Sequence, residues 1–249
     1  MATSDWQSAA ALLRQGIEQL ALTVDDQQQC KMINFIQLLK KWNQRFNLTS
    51  ITDWRGMVIK HLLDSLAISP WITSPMILDV GSGAGIPGIP LAILHQDKAF
   101  TLLDSNGKKT RFINQATTEL GLQNVSVVRG RIERYQPSQA FDQVICRAYA
   151  SLQKFVEQTE NILHPDIELL AMKGQLPESE LQQLNELSGV KTDIPDTIAT
   201  PNTTDTRMPA DNLSAQVKIT VTEIHKLQVP FLNEQRHLVR LAVLKLANR

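Results

Sequence analysis

A carboxylate followed by four glycines stands out in the stretch Ile77-Leu-Asp-Val-Gly-Ser-Gly-Ala-Gly-Ile-Pro-Gly-Ile-Pro90. A short apolar run that passes into Gly81, Gly83, Gly85 and Gly88 ahead of a helix is the geometry that holds a nucleotide-like ligand at the carboxyl edge of a parallel sheet. Glycines allow the tight turn and remove side chains that would keep the ligand away from the backbone. Taken literally, Gly83-x-Gly85-x-x-Gly88 matches the dinucleotide fingerprint, and Asp104, at the end of the next apolar run, is placed to grip a ribose hydroxyl pair.

Asp79 separates two ligands. In a dinucleotide site the pyrophosphate lies over this loop at the helix N-terminus, and a carboxylate just before the first glycine adds repulsion to a dianion. A ligand carrying an ammonium or a sulfonium reverses the sign. S-adenosyl-L-methionine carries both and has no phosphate, and its own carboxylate can face the helix N-terminus. Asp104 serves either ligand, since both present a ribose diol.

The elements that must position these groups follow from apolar periodicity. Residues 5–45 predict two helices, with Leu12, Leu13, Ile17 and Leu20, then Met32, Ile33, Phe35, Ile36, Leu39 and Trp42, at helical spacing and Asp25 as a cap. A third helix is expected over Gly56–Ile68, stopped by Pro70. From Met76 the rhythm changes to β-branched runs at 77–80, 100–103, 125–128, 143–146 and 167–172. Helical stretches at 89–94, 108–120, 152–163 and 178–187 alternate with them. Crossovers of this length imply a parallel sheet covered on both faces. Two further strands, 217–225 and 237–246, are joined by a segment too short for a crossover and should pair antiparallel. The expected organisation is a helical cap over 1–70 and an α/β domain over 71–249, with the Thr- and Pro-rich 192–215 as a flexible loop.

Composition narrows the partners. Lysine plus arginine and aspartate plus glutamate both number 25, yet residues 98–147 hold eight bases against four acids, and residues 155–200 hold nine acids against Lys173 and Lys191. Neutrality is a sum of opposed patches, and one basic face is enough to engage phosphates. Lys108, Lys109 and Arg111 open a helix, where cations oppose the dipole, so a phosphate-facing role suits them. Cys30 and Cys146 form no CxxC pair and read as buried small apolar residues, and the five histidines lack ligand spacing, so no metal is expected. His61 reads as a packing or hydrogen-bonding histidine, Asn47 and Thr49 as helix-end capping residues, and Trp42 and Phe46 as cap packing. No apolar run reaches the roughly 18 residues needed to span a bilayer, and no signal pattern opens the chain, so a cytoplasmic monomer without membrane contact is expected.

Several motifs in one order resemble the ribosomal RNA small subunit methyltransferase G family, also called glucose-inhibited division protein B. They are Trp42-Asn-x-x-Phe-Asn-Leu-Thr49, His61-Leu-Leu-Asp-Ser-Leu66, Asp79-Val-Gly-Ser-Gly-Ala-Gly-Ile-Pro-Gly88, Leu103-Asp-Ser105 and Lys108-Lys109-x-Arg-Phe112. Arg147-Ala-x-Ala150, Lys173-Gly174, Leu227-Gln-Val-Pro230 and Arg236-His-Leu238 continue the series. The resemblance implies a Rossmann-like class I methyltransferase fold with a mostly parallel seven-stranded sheet, an antiparallel last strand and an N-terminal helical cap. It implies methyl transfer from S-adenosyl-L-methionine to N7 of a guanine in 16S rRNA, as rRNA or as a small ribosomal subunit precursor. The cofactor contacts it implies fall on Gly81, Ile86, Ile132, Glu133 and Arg147, with Asp104 at the ribose. Arg147 also stands as a substrate positioner, and Lys173 as an RNA contact. No acid or base is expected, because guanine N7 has no proton to lose. The competing readings are an NAD(P)-dependent oxidoreductase, resting on the literal glycine match, and a non-catalytic RNA-binding module.

Overall fold

The computed structural model describes residues 3–148, 151–176, 178–182 and 217–245. The expected 192–215 loop, the end of the 178–187 helix, Ala150 and Leu246 lie outside them.

Local chemistry sets the first helices, α1 (Thr3–Gln19) and α2 (Asp26–Phe46). Asp25 starts α2 through a capping box: its Oδ1 accepts from Gln28 N at 2.7 Å, and Gln28 Oε1 accepts from Asp25 N at 3.0 Å. The same glutamine donates through Nε2 to Ile93 O and Leu94 O, so one side chain both opens α2 and terminates a helix of the α/β layer. Asn47 ends α2 in the left-handed conformation at φ 49°. Trp42 packs on Phe46 and Phe112 with ring centroids 5.2 and 5.7 Å away, as cap packing requires. Cys30 corrects its expectation: it lies on the exposed side of α2, while Cys146 is buried.

The third helix is not regular. It runs as α3 (Trp54–Met57), a π-helical stretch Val58–Leu63 and α4 (Asp64–Leu66), and in the π stretch Asp64 N donates to Ile59 O, five residues back. Apolar spacing alone does not distinguish that wider turn from an α-helix. His61, within it, is buried, meets Thr49 Oγ1 through Nε2 at 3.0 Å, and is pushed down to a pKa of about 4 by burial and by Arg147.

The sheet contains β1 (Met76–Val80), β2 (Ala99–Asp104), β3 (Val125–Arg129), β4 (Gln143–Arg147), β5 (Glu168–Lys173), β6 (Val217–Leu227) and β7 (Arg236–Lys245). Their order is β3-β2-β1-β4-β5-β7-β6. The first five strands are parallel, and β7 runs antiparallel between β5 and β6. This is a Rossmann-like arrangement, the mostly parallel seven-stranded sheet with an antiparallel last strand that the resemblance implies, preceded by the N-terminal helices. Alternation along β1 sends Ile77 into an apolar cluster shared with the cap, α5 (Gly88–Leu94) and α6 (Gly107–Leu120), and sends Leu78 and Val80 into a second cluster with α7 (Leu152–Thr159). Cap and sheet therefore share one core.

Candidate cofactor cleft

At the carboxyl ends of β1, β2 and β3 a cleft of about 210 Å³ is lined by Val80, Gly81, Leu103, Asp104, Ile132 and Glu133, among others. The glycine loop is pinned to the neighbouring strand: Gly81 N and Ser82 N both donate to Leu103 O, at 2.8 and 3.1 Å. Asp104 completes the attachment, accepting Gly83 N on Oδ2 at 2.9 Å and Asn106 N on Oδ1 at 2.7 Å. One carboxylate thus fixes both the loop and the entry to α6. Gly81, Gly83 and Gly85 have φ of 69°, 59° and 78°, the left-handed region in which a side chain is strained.

The later amides of the turn bond back onto the turn and β1. Gly85 N and Ile86 N donate to Ser82 O, Ile89 N to Gly85 O, and Gly88 N to Asp79 Oδ2 at 2.9 Å. Pro87 and Pro90 have no N–H to offer. A pyrophosphate needs free amides at the helix N-terminus, and the start of α5 has already committed Gly88 and Ile89.

Asp79 itself is repositioned. Instead of facing the ligand at the mouth of the turn, its side chain lies wholly buried on the cap side of β1, and it does not line the cleft. Strand alternation is the reason: Val80 shares its face with Leu78, and Asp79 shares the opposite one with Ile77. Burial pushes its carboxyl up to about 7; the Gly88 N–H and Arg147 oppose that rise, and Asp104 adds to it. Asp79 Oδ1 and Ser82 Oγ are buried without a partner. The unpartnered oxygen lies beneath the loop and not in the wall of the cleft, so a ligand seated in the cleft meets Gly81 and Asp104 rather than Asp79.

Two other expected contacts also leave the wall. Ile86 is 5% exposed, and its side chain belongs to the cluster shared with the cap. Lys173 Nζ is paired with Glu180 Oε2 at 2.8 Å, and Glu180 in turn accepts Leu152 N at the start of α7, so this lysine buttresses α7. Ile132 and Glu133 do line the cleft, Ile132 from the second apolar cluster and Glu133 as an exposed acid held by Gln158 Nε2. Lys108 and Arg111 are exposed on α6, whereas Lys109 is half-buried with its Nζ 3.9 Å from where a Cβ on Gly83 would stand.

Arg147, at the end of β4, is tied to the cap. Its Nη1 donates to Lys60 O at 2.7 Å, in the π stretch, and to Asp64 Oδ2 at 3.1 Å. Arg236 Nε donates to the other oxygen, Asp64 Oδ1, at 3.0 Å. In the sequence Asp64 and Arg236 stand out only as parts of the His61–Leu66 and Arg236–Leu238 motifs. Nothing local marks them as partners, because the pair is 172 residues apart.

The family model for rRNA small subunit methyltransferase G matches residues 28–208. The chain belongs to this family. The ribosomal RNA small subunit methyltransferase G of Marinobacter nauticus is 52% identical over 172 residues, 69% of this chain and 80% of that protein. The family member from Nitrosococcus oceani is 43% identical over 230 residues, 92% of this chain and 93% of its own length. The family match begins within α2 and therefore includes the cap segment that carries Asn43, His61 and Asp64.

Proposed function

We propose that this chain transfers a methyl group from S-adenosyl-L-methionine to N7 of a guanine in 16S rRNA. The observation that carries the reading is the glycine loop at the end of β1, whose Gly81 lines the cleft beside Asp104, Ile132 and Glu133, in a chain of this family. The amides of Gly88 and Ile89 at the start of α5 are already committed, which disfavours the dinucleotide alternative. When bound, S-adenosyl-L-methionine supplies an electrophilic methyl group on a sulfonium.

The residues divide the holding between them. Asp104 keeps one lone-pair direction on each oxygen for ribose hydroxyls after accepting Gly83 and Asn106. Ile132 and Glu133 meet the base-bearing end, Gly81 lets the ligand approach the backbone, and Lys109 stands beside Gly83 for a carboxylate. Guanine N7 offers its lone pair in the ring plane with no proton to remove, so what the protein must supply is alignment and exclusion of water. Arg147, oriented by Asp64 and Lys60 O, is the substrate positioner of this reading. The substrate is 16S rRNA or a small-subunit precursor, and the site of action is the cytoplasm, where that RNA is made.

Two measurements test it. S-adenosylhomocysteine should raise the melting temperature and NAD should not; the reverse pattern rejects the cofactor. Borohydride and aniline cleave RNA at N7-methylguanine, so 16S rRNA from cells lacking the gene should lose one cleavage site that the wild type shows. A site that persists rejects the activity.

A further inference from the structure

A second hollow adjoins the cleft and shares Ser105, Gly130 and Arg131 with it. Arg129, Arg134 and Tyr135 line only the hollow. It lies at the end of β3, an edge strand among the described residues, so no described strand covers its outer side. Arg129, Arg131 and Arg134 are exposed, and among the described residues no ion pair joins any of them to a carboxylate. The nearby acids are otherwise engaged: Asp104 accepts two backbone amides, and Glu133 accepts Gln158.

The arrangement also concentrates like charge. A Cβ added at Gly107, the first residue of α6, would lie 2.9 Å from Arg129 Cζ, so this guanidinium covers the positive end of a 14-residue helix. Lys108 and Arg111 extend the same surface. Cations packed at a helix N-terminus repel its dipole, and an anion seated among them relieves that repulsion. Tyr135, its ring 6.3 Å from Phe141, and Val128 add an apolar part to the lining.

We infer that this arginine hollow holds backbone phosphates of the rRNA strand, immediately beside the cofactor cleft. The inference rests on the proposed rRNA substrate and assigns that substrate a place. Arg131, common to both cavities, would touch both ligands, so binding of cofactor and of RNA should be energetically coupled.

The test is binding of 16S rRNA transcript by the full chain across a salt series, with Arg129→Ala/Arg134→Ala against wild type. Losing two phosphate contacts should make the slope of log affinity against log salt shallower by about 1.4, and at about 0.1 M salt weaken binding by at least tenfold. S-adenosylhomocysteine affinity, measured by calorimetry, should not change. Arg129→Lys/Arg134→Lys should restore most of the slope, which a merely structural role for the guanidinium groups would not do. If the double alanine variant misfolds, Arg134→Glu alone should give the same direction. An unchanged slope overturns the proposal, as does a variant that binds rRNA normally but loses adenosine monophosphate, since the occupant is then a free nucleotide. Because the readout is binding, it stands apart from turnover: wild type that binds rRNA in a hollow-dependent way but methylates nothing refutes the proposed function and leaves the hollow.

Discussion

Two carboxylates near the glycine loop do different work because their surroundings differ. Asp104, 7% exposed, is satisfied by two backbone amides and shapes the cleft from its edge. Asp79 is fully buried, and burial pushes its carboxyl up to about 7 against the lowering effect of the Gly88 N–H on one oxygen; the other oxygen is unpartnered. Its folded pKa lies above its ordinary 3.8, so between those values the folded chain binds more protons than the unfolded one. The resulting contribution to stability is full below the unfolded pKa and disappears as pH rises through the folded one. Asp79→Asn removes the titration while keeping an oxygen for Gly88. Between about pH 5 and about pH 8 the urea midpoint should therefore fall less in the variant than in wild type. The difference should be on the order of a few kcal/mol, because each tenfold change in proton affinity is worth about 1.4 kcal/mol. Identical pH slopes in the two proteins would show that Asp79 does not titrate in this range.

At the scale of elements, α5 is held by close packing at its first residue. A Cβ at Gly88 would come within 2.7 Å of Asp79 Oδ2 and 2.8 Å of Leu102 Cγ, so the helix can approach β1 and β2 only with glycine there. Gly88→Ala should cost about 1–3 kcal/mol through overpacking, read as a lowered melting temperature, and should weaken S-adenosylhomocysteine binding because the loop moves with α5. Gly174→Ala, where a Cβ meets nothing within 4 Å, is the control and should change stability by less than about 0.5 kcal/mol. Equal melting temperatures for Gly88→Ala and wild type would mean that α5 yields without strain. The π stretch also sets positions: it brings His61 to Thr49 and leaves Lys60 O as an acceptor for Arg147.

Across the whole molecule, Asp64 joins three distant segments, the third helix, the end of β4 and the start of β7, through Arg147 and Arg236. Removing it leaves two arginines, 23% and 17% exposed in their side chains, without their shared partner. Asp64→Ala should cost about 3 kcal/mol and loosen the cap, so that limited proteolysis cuts within residues 54–66 under conditions in which wild type resists; equal resistance would assign the cap's attachment to apolar packing alone. Much of this plan was legible from residue order. Strand alternation, helical periodicity and the Asp25 cap depend on neighbours a few residues apart, so the element series and the glycine turn could be read directly, and the motifs named Gly81, Asp104, Ile132 and Glu133, which come together in the lining of one cleft. What tertiary structure alone decided was direction and partnership. It turned Asp79 and Ile86 away from the cleft, gave Lys173 to Glu180, placed Cys30 outside, and gathered Arg129, Arg131 and Arg134 around one hollow. Sequence spacing determines which residues share an element, but the energy of a side chain depends on which groups from other elements surround it, and that is settled only when the sheet and cap close on each other.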